Sequence, residues 1–231
     1  MRLYLKVFNH NGLDGHIVQS TLDKVAASKY DYRVDFKPIQ ACVDVARAAV
    51  VEEARQWGAE IVIMQDHDMV YNYGALDHIV DLAKTEEALI SVCYSKRELH
   101  GGPCWAMFDG KYHETGSDEV FEVKDGSFVG AGLWAIPIQV FGDVSQFVPD
   151  CVPVTAGYKT FFLPKVYSRQ WKGESVNVQF NEDFAFCDRV RDAGRRILVT
   201  MKPVVGHVGK FTYSPVEANL GHIVKSKKGE Q

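Results

Sequence analysis

Residues Ile61–Met64 form an unbroken apolar run, Ile-Val-Ile-Met, that opens almost at once onto Asp66-His67-Asp68. A strand with one wet face alternates apolar and polar side chains. A strand apolar at every position must be covered on both faces, as in a parallel sheet layered with helices. Ala88–Cys93 repeats the pattern. Helical periodicity separates these runs: Val43, Ala46, Val50, Ala54 and Trp57 step by three and four from about Cys42 to Gln56, with Gly58 as the expected C-cap. Leu76, Ile79, Val80 and Ala83 mark the next helix. Upstream, Leu3, Leu5 and Val7 alternate in a first strand. Ile17, Leu22 and Val25 fit a helix, and Tyr32, Val34 and Phe36 a second strand that stops at Pro38. The first hundred residues therefore alternate strand and helix, which predicts an α/β domain with a mostly parallel central sheet flanked by helices.

The second half is mixed. Cys104–Glu122 reads as a hairpin turning at Asp109-Gly110, and Phe128–Val140 holds a Gly-rich strand. Asp143–Gln179 is irregular and rich in aromatics and prolines, and is expected to order in part over a bound ligand. A helix runs from Asn181 to Ala193 and closes at Gly194, and Ile197–Val205 is the last strand before Gly206-His207. No composition break divides the 231 residues, so one domain is expected: residues 1–100, a smaller mixed half at 101–209, and a tail at 210–231.

Charge and cysteine content narrow the function. The net charge of −4 argues against general nucleic-acid affinity, since the one dense basic run is Lys225, Lys227 and Lys228 in the tail. The five cysteines include no CxxC pair and read as reduced thiols of a cytosolic protein. Neither a signal peptide nor 18 consecutive apolar residues occur, which points to the cytoplasm of a bacterium or of a virus-infected host, with no membrane partner.

Four constellations bear on chemistry. Asp66 and Asp68 sit where a buried strand ends, the place where open α/β sheets bind ligands. Two carboxylates there suit a hard divalent cation and a diphosphate, although an Asp-x-Asp pair also serves as an ordinary solvated turn. Glu182-Asp183 opens the helix after Asn181. Acidic side chains there compensate the helix dipole, and they also offer an ionised, rigidly held general base. His207, between Gly206 and Gly209, is either a satisfied loop histidine or a third metal ligand beside Asp68. Arg47 flanks the apolar stripe of its helix and Lys96-Arg97 follow a strand. Each suits a phosphate or carboxylate, and each also fits a plain surface ion pair, for Arg47 with Glu52 or Asp44. Gly130-Ala131-Gly132 lacks the pattern of a phosphate loop and instead suits a strand passing close to a bound sugar.

In order along the chain, these pieces resemble the GT-A glycosyltransferases, especially short phage and bacterial members related to family 2. The resemblance spans about Arg2 to Gly209. Ala46–Ala54 (ARAAVVEEA) is similar to the family's arginine-bearing helix and Ile61–Met69 (IVIMQDHDM) to its strand and DxD motif. Ser91–Glu98 (SVCYSKRE) is similar to the strand and basic pair that follow, and Gly130–Ile136 (GAGLWAI) to the strand opening the acceptor half. Asn181–Gly194 resembles the ED helix and Val204–Gly209 (VVGHVG) the terminal histidine motif.

The resemblance implies a Rossmann-like GT-A domain. Its nucleotide-sugar half is residues 1–100 and its acceptor and catalytic half 101–209. It also implies transfer of a hexosyl or pentosyl group from a nucleotide-sugar, foremost a UDP-sugar, to a hydroxyl. In that scheme Asp68, Asp66 and His207 hold Mn²⁺ or Mg²⁺. Asp66, Arg47, Lys96 and Arg97 meet the nucleotide donor. Asp183 is the base of an inverting displacement, with Glu182 as the second choice. A QxxRW-type motif beyond the ED helix is missing, Gln170-Trp171 coming before it, which argues against processive polysaccharide synthesis. The acceptor is a glycan or small molecule, or a hydroxymethylated pyrimidine in phage DNA. DNA modification requires a basic, aromatic groove, for which Arg169, Trp171, Lys172, Lys159 and Lys165 are the candidates. The competing classes are a nucleotidyltransferase on a similar sheet and a non-enzymatic nucleotide or carbohydrate binder.

Overall fold

The computed structural model describes residues 1–9, 12, 14–39, 42–94, 117–124, 127–148, 159–171, 174–208 and 212–213. Its elements run β1 (Arg2–Phe8), α1 (Gly15–Ala26), β2 (Asp31–Asp35), α2 (Val43–Trp57), β3 (Ile61–Asp66), β4 (Met69–Tyr71), α3 (Ala75–Glu86) and β5 (Leu89–Val92). Then come β6 (Val120–Glu122), β7 (Leu133–Pro137), α4 (Ile138–Val144) with a 3-10 turn (Ser145–Phe147), β8 (Lys165–Trp171) and β9 (Glu174–Phe180). The chain continues through α5 (Glu182–Asp192), β10 (Ile197–Thr200), β11 (Val205–Val208) and β12 (Thr212–Tyr213).

Seven strands form the central sheet in the order β2-β1-β3-β7-β5-β10-β6. β1 is parallel to β2 and β3, and β10 to β5, while β7 lies antiparallel between β3 and β5. β6 closes the far edge antiparallel to β10. β1, β2, β3, β5 and β10 thus point one way, as the apolar runs predict.

The apolar run of β3 is used on both faces. Ile61 and Ile63 pack with Leu3, Leu5, Ile79 and Val80 under α3. Val62 and Met64 pack with Val50, Val51, Trp134, Phe141 and Phe186 under α2, α4 and α5. Each such aliphatic side chain, fully buried, contributes about 1.5–3 kcal/mol.

α2 ends where its sequence requires. Gly58 takes the left-handed conformation, φ 78°, and its N–H closes on Ala54 and Arg55 carbonyls. A β-carbon there is disfavoured by about 1–2 kcal/mol and meets the Arg2 guanidinium at 3.3 Å. Gly58→Ala is therefore expected to lower the thermal midpoint by about 2–8 °C, at 2–4 °C per kcal/mol. Thermal unfolding followed by circular dichroism reads the shift, and an unchanged midpoint excludes this account of the cap.

Two expectations are corrected. Within Asp143–Gln179, expected to be irregular, β8 and β9 pair antiparallel from Lys165↔Phe180 to Trp171↔Glu174. One face of the ribbon is half-buried, with Tyr167, Val176, Val178 and Phe180, and the alternation of β8 is broken by Val166, which is exposed on the other. α4, which begins directly after Pro137 at its N-cap, runs into the start of the same stretch. Ile197–Val205 is two strands in different sheets, since Pro203 interrupts it; a proline cannot donate to a ladder. β11 pairs instead with β4 and β12. Of the expected hairpin at 104–122, residues 104–116 lie outside the described residues, and Phe121 pairs with Val199 of β10. Among the described residues, no helix is long and apolar enough to cross a membrane.

Candidate functional site

β3 ends at Asp66, held on both sides. The Asp66 N–H donates to the Gly132 carbonyl at 2.9 Å and the His67 N–H to Phe8 at 3.0 Å. The chain then turns into β4, which brings Met69 opposite His207 of β11. The Val208 N–H donates to the Asp68 carbonyl at 2.7 Å. This pairing sets His207 Nε2 3.2 Å from Asp68 Oδ2, with both side chains nearly buried. The sequence-predicted partnership of Asp68 and His207 is thus present, and β4, unforeseen in the sequence, is what makes it.

Arg47 is no surface residue: only 3% of it is exposed. Its Nη2 lies 3.3 Å from Asp66 Oδ1, and its guanidinium packs over the rings of Phe8 at 5.4 Å and Trp134 at 5.8 Å. The surface pairing with Asp44 or Glu52 is therefore replaced by an inward pairing. Nε and Nη1 of Arg47 are buried and make no hydrogen bond among the described residues. Burial pushes the Asp66 carboxyl above the usual range, with Arg47 pulling it down and Asp68 pushing it up.

Asp183 occupies the first turn of α5, after Asn181 at the N-cap, whose side chain makes no capping bond. α5 is anchored by Phe186, Cys187 and Val190 in the core. Phe184 stacks on Phe128 with ring centres 4.9 Å apart. Asp183 Oδ1 accepts the Phe184 N–H at 2.8 Å. Burial pushes the Asp183 carboxyl up to about 6. Arg47 and the Phe184 N–H oppose this, while Glu182 and Asp66 add to it. Arg47 and Asp66 thus both act electrostatically on Asp183, and Glu182 beside it is half-buried.

Other candidates fall elsewhere. Lys96, Arg97 and Lys172 lie outside the described residues, and of Arg169 and Trp171 only the backbone of β8 is described. Lys165 is committed to Asp188 at 2.7 Å and Asp192 at 3.3 Å. Lys159 Nζ donates to the Ser145 carbonyl at 3.2 Å. The close approach at Gly132 is to Tyr94: a β-carbon at 132 meets the Tyr94 ring at 2.5 Å. Tyr94 was legible only as a tyrosine ending an apolar strand, a signal shared with many core residues. Among the described residues, no group of three or more His, Cys, Asp or Glu side chains is gathered closely enough to hold a metal ion, so Asp68 and His207 stand as a pair.

Solved structures share this architecture. A197 from STIV superposes with a TM-score of 0.59 at 13% identity over 94% of this chain and 92% of its own. GalNAc-T7, solved with UDP, GalNAc and Mn²⁺, gives 0.53 at 10% identity over 90% of this chain and 43% of its own. S. aureus TarS 1-349 gives 0.50 at 11% identity over 87% of this chain and 58% of its own. No protein-family model matches the chain, and no curated protein matches its sequence. What is shared is the fold, and it is the GT-A fold of glycosyltransferases.

Proposed function

We propose that this chain moves a sugar from a nucleotide-sugar, foremost a UDP-sugar, to a hydroxyl acceptor, using a divalent cation at Asp68 and His207. The observation that carries the reading is the convergence at the end of β3. Asp66 is paired with Arg47, Asp68 is paired with His207, and Asp183, raised to about 6, feels the charges of both Arg47 and Asp66. GalNAc-T7, of the same fold, was solved with UDP and Mn²⁺, which supports the donor class.

The donor set fits the ion. Mg²⁺ and similar ions commonly sit on one or two carboxylates and complete their shell with substrate phosphates, so three protein ligands are not required. An imidazole beside a carboxylate favours Mn²⁺ over the strictly oxygen-seeking Mg²⁺. Asp66 is the third ligand or the contact to the donor ribose. When bound, the cation supplies positive charge to the departing diphosphate. Arg47 fixes the Asp66 carboxylate, and Lys96 and Arg97 are the basic pair for the diphosphate.

Asp183 takes the proton of the acceptor hydroxyl as its oxygen bonds to the anomeric carbon. The bond from that carbon to the diphosphate oxygen breaks, and the nucleoside diphosphate leaves. Attack from the opposite face inverts the anomeric centre, and Glu182 is the weaker alternative as base. A glycan or small-molecule acceptor comes first. A hydroxymethylated pyrimidine in DNA requires Lys159 and Lys165 to leave Ser145 and Asp188.

Incubation with UDP-, GDP-, CDP- and dTDP-sugars tests the reading. One nucleoside diphosphate should be released only with Mn²⁺, and Asp68→Asn should reduce release to background. Release of pyrophosphate from a nucleoside triphosphate and a sugar phosphate indicates a nucleotidyltransferase. Calorimetric binding without release in any acceptor screen indicates a binder, and neither binding nor release ends the proposal.

A further inference from the structure

We propose that Tyr94 is a positioning residue that fixes two ends of the site, the Asp66 end of β3 and the cation ligand His207, relative to each other. The inference rests on the cation site proposed above. Those ends come from different sheets. Asp66 closes β3 of the central sheet, whereas His207 rides on β11 of the three-stranded sheet β12-β11-β4.

Tyr94, buried just beyond β5, touches His207 directly and reaches Asp66 through Gly132. Its hydroxyl oxygen accepts the Gly132 N–H at 2.9 Å. The Gly132 carbonyl in turn accepts the Asp66 N–H at 2.9 Å, so the peptide units flanking Gly132 link the Tyr94 hydroxyl to the Asp66 backbone. The Tyr94 ring meets the His207 imidazole edge-on, with centres 5.6 Å apart and planes at 85°. That imidazole presents Nε2 to Asp68. One rigid phenol thus braces the backbone of one carboxylate and the ring of the histidine. Its berth exists because residue 132 is glycine: a β-carbon there lies 2.5 Å from Tyr94 Cζ and 2.8 Å from its oxygen. A tyrosine that merely filled core volume would not need both a hydrogen bond to the Asp66 strand connection and an edge contact with the histidine.

Groups that orient metal ligands typically contribute 10–100-fold to metal affinity. Mn²⁺ binding, followed by electron paramagnetic resonance with and without UDP and alongside thermal unfolding, tests this. Tyr94→Leu, which removes both contacts, should weaken Mn²⁺ binding about 10–100-fold. Tyr94→Phe keeps the ring on His207 and should weaken it less. Gly132→Ala, which pushes the ring aside, should fall near Tyr94→Leu. If Tyr94→Leu does not fold, Tyr94→Phe and Gly132→Ala decide the matter. Folded variants that bind Mn²⁺ as tightly as wild type, while Asp68→Asn loses it, overturn the role of Tyr94 and leave the metal site standing. Wild type that binds no Mn²⁺ under either condition, or Asp68→Asn that binds it normally, overturns the metal site and this inference with it.

Discussion

Replacing Asp183 with asparagine is expected to lower turnover about 10²–10⁴-fold, the range a positioned general base contributes, with little change in donor binding. Asparagine keeps the shape and can still accept the Phe184 N–H, but it cannot take a proton from the acceptor hydroxyl. The pH dependence is fixed by the same geometry. Burial holds the carboxyl at about 6, so below that pH it is protonated and cannot act as a base. The wild-type rate should therefore climb through about pH 6 and level off above it. Two neighbours must move this limb in opposite directions. Arg47 favours the ionised form, so Arg47→Met should shift the limb to higher pH. Glu182 disfavours it, so Glu182→Gln should shift the limb lower while leaving a working enzyme. A limb that ignores both changes belongs to another group, and Asp183 then loses the role. The raised value also means that ionising Asp183 favours the unfolded chain, so Asp183→Asn should be more stable than wild type at pH 7 even as it loses turnover. An unchanged stability means that the carboxyl is not raised in the fold.

The centre of the sheet was legible because β3 and β5 are buried on both faces. Ile61–Met64 and Ala88–Cys93 carry no alternation to confuse, and Gly58 fixes a helix end through a conformation that few other residues adopt. The pairing of Asp68 with His207 was also anticipated, though the three-residue strand β4 that produces it was not, being too short to show a period. What escaped has a common physical cause: little burial, or burial against local expectation. On the ribbon β8–β9 the face of Tyr167 and Val178 is only half-buried, and Val166 lies exposed on the other, so β8 shows no clean alternation. Arg47 reads as a helix-surface cation because the acid that draws it inward, Asp66, lies across the sheet rather than along the helix. Tyr94 is invisible as a site residue because its role depends on the missing side chain of Gly132. Local sequence specifies where chain elements lie, but the meaning of a buried charge depends on what the fold places opposite it.

That same dependence makes Lys6→Met the most damaging change expected away from the chemistry, at about 3–5 kcal/mol, the usual loss when one partner of a buried ion pair is removed. Against a total of about 5–15 kcal/mol this threatens the fold itself. Lys6 and Asp35 are register partners of the parallel pair β1–β2, and their side chains are only 5% and 10% exposed. Lys6 Nζ donates to Asp35 Oδ2 and to the Lys37 carbonyl, both at 2.8 Å. Asp35 Oδ1 accepts the Lys37 N–H at 2.8 Å, and the Tyr4 hydroxyl bridges toward Glu53 at 2.6 Å. Methionine fills the space of lysine but leaves the Asp35 charge without its ammonium. Burial alone raises the Asp35 carboxyl, yet Lys6 and the Lys37 N–H outweigh it, so the folded value lies below the ordinary one. The pair's contribution is therefore full above the ordinary aspartate value of about 3.9 and fades as pH falls through the lowered one. Urea unfolding at pH 7 should show the loss in Lys6→Met and substantial recovery in Lys6→Met/Asp35→Leu, where neither charge remains. The gap between wild type and Lys6→Met should narrow as the pH is taken below about 4. A loss under about 1 kcal/mol is what a solvated surface pair gives. That result means water reaches the pair and that the carboxyl ends of β1 and β2 open in solution.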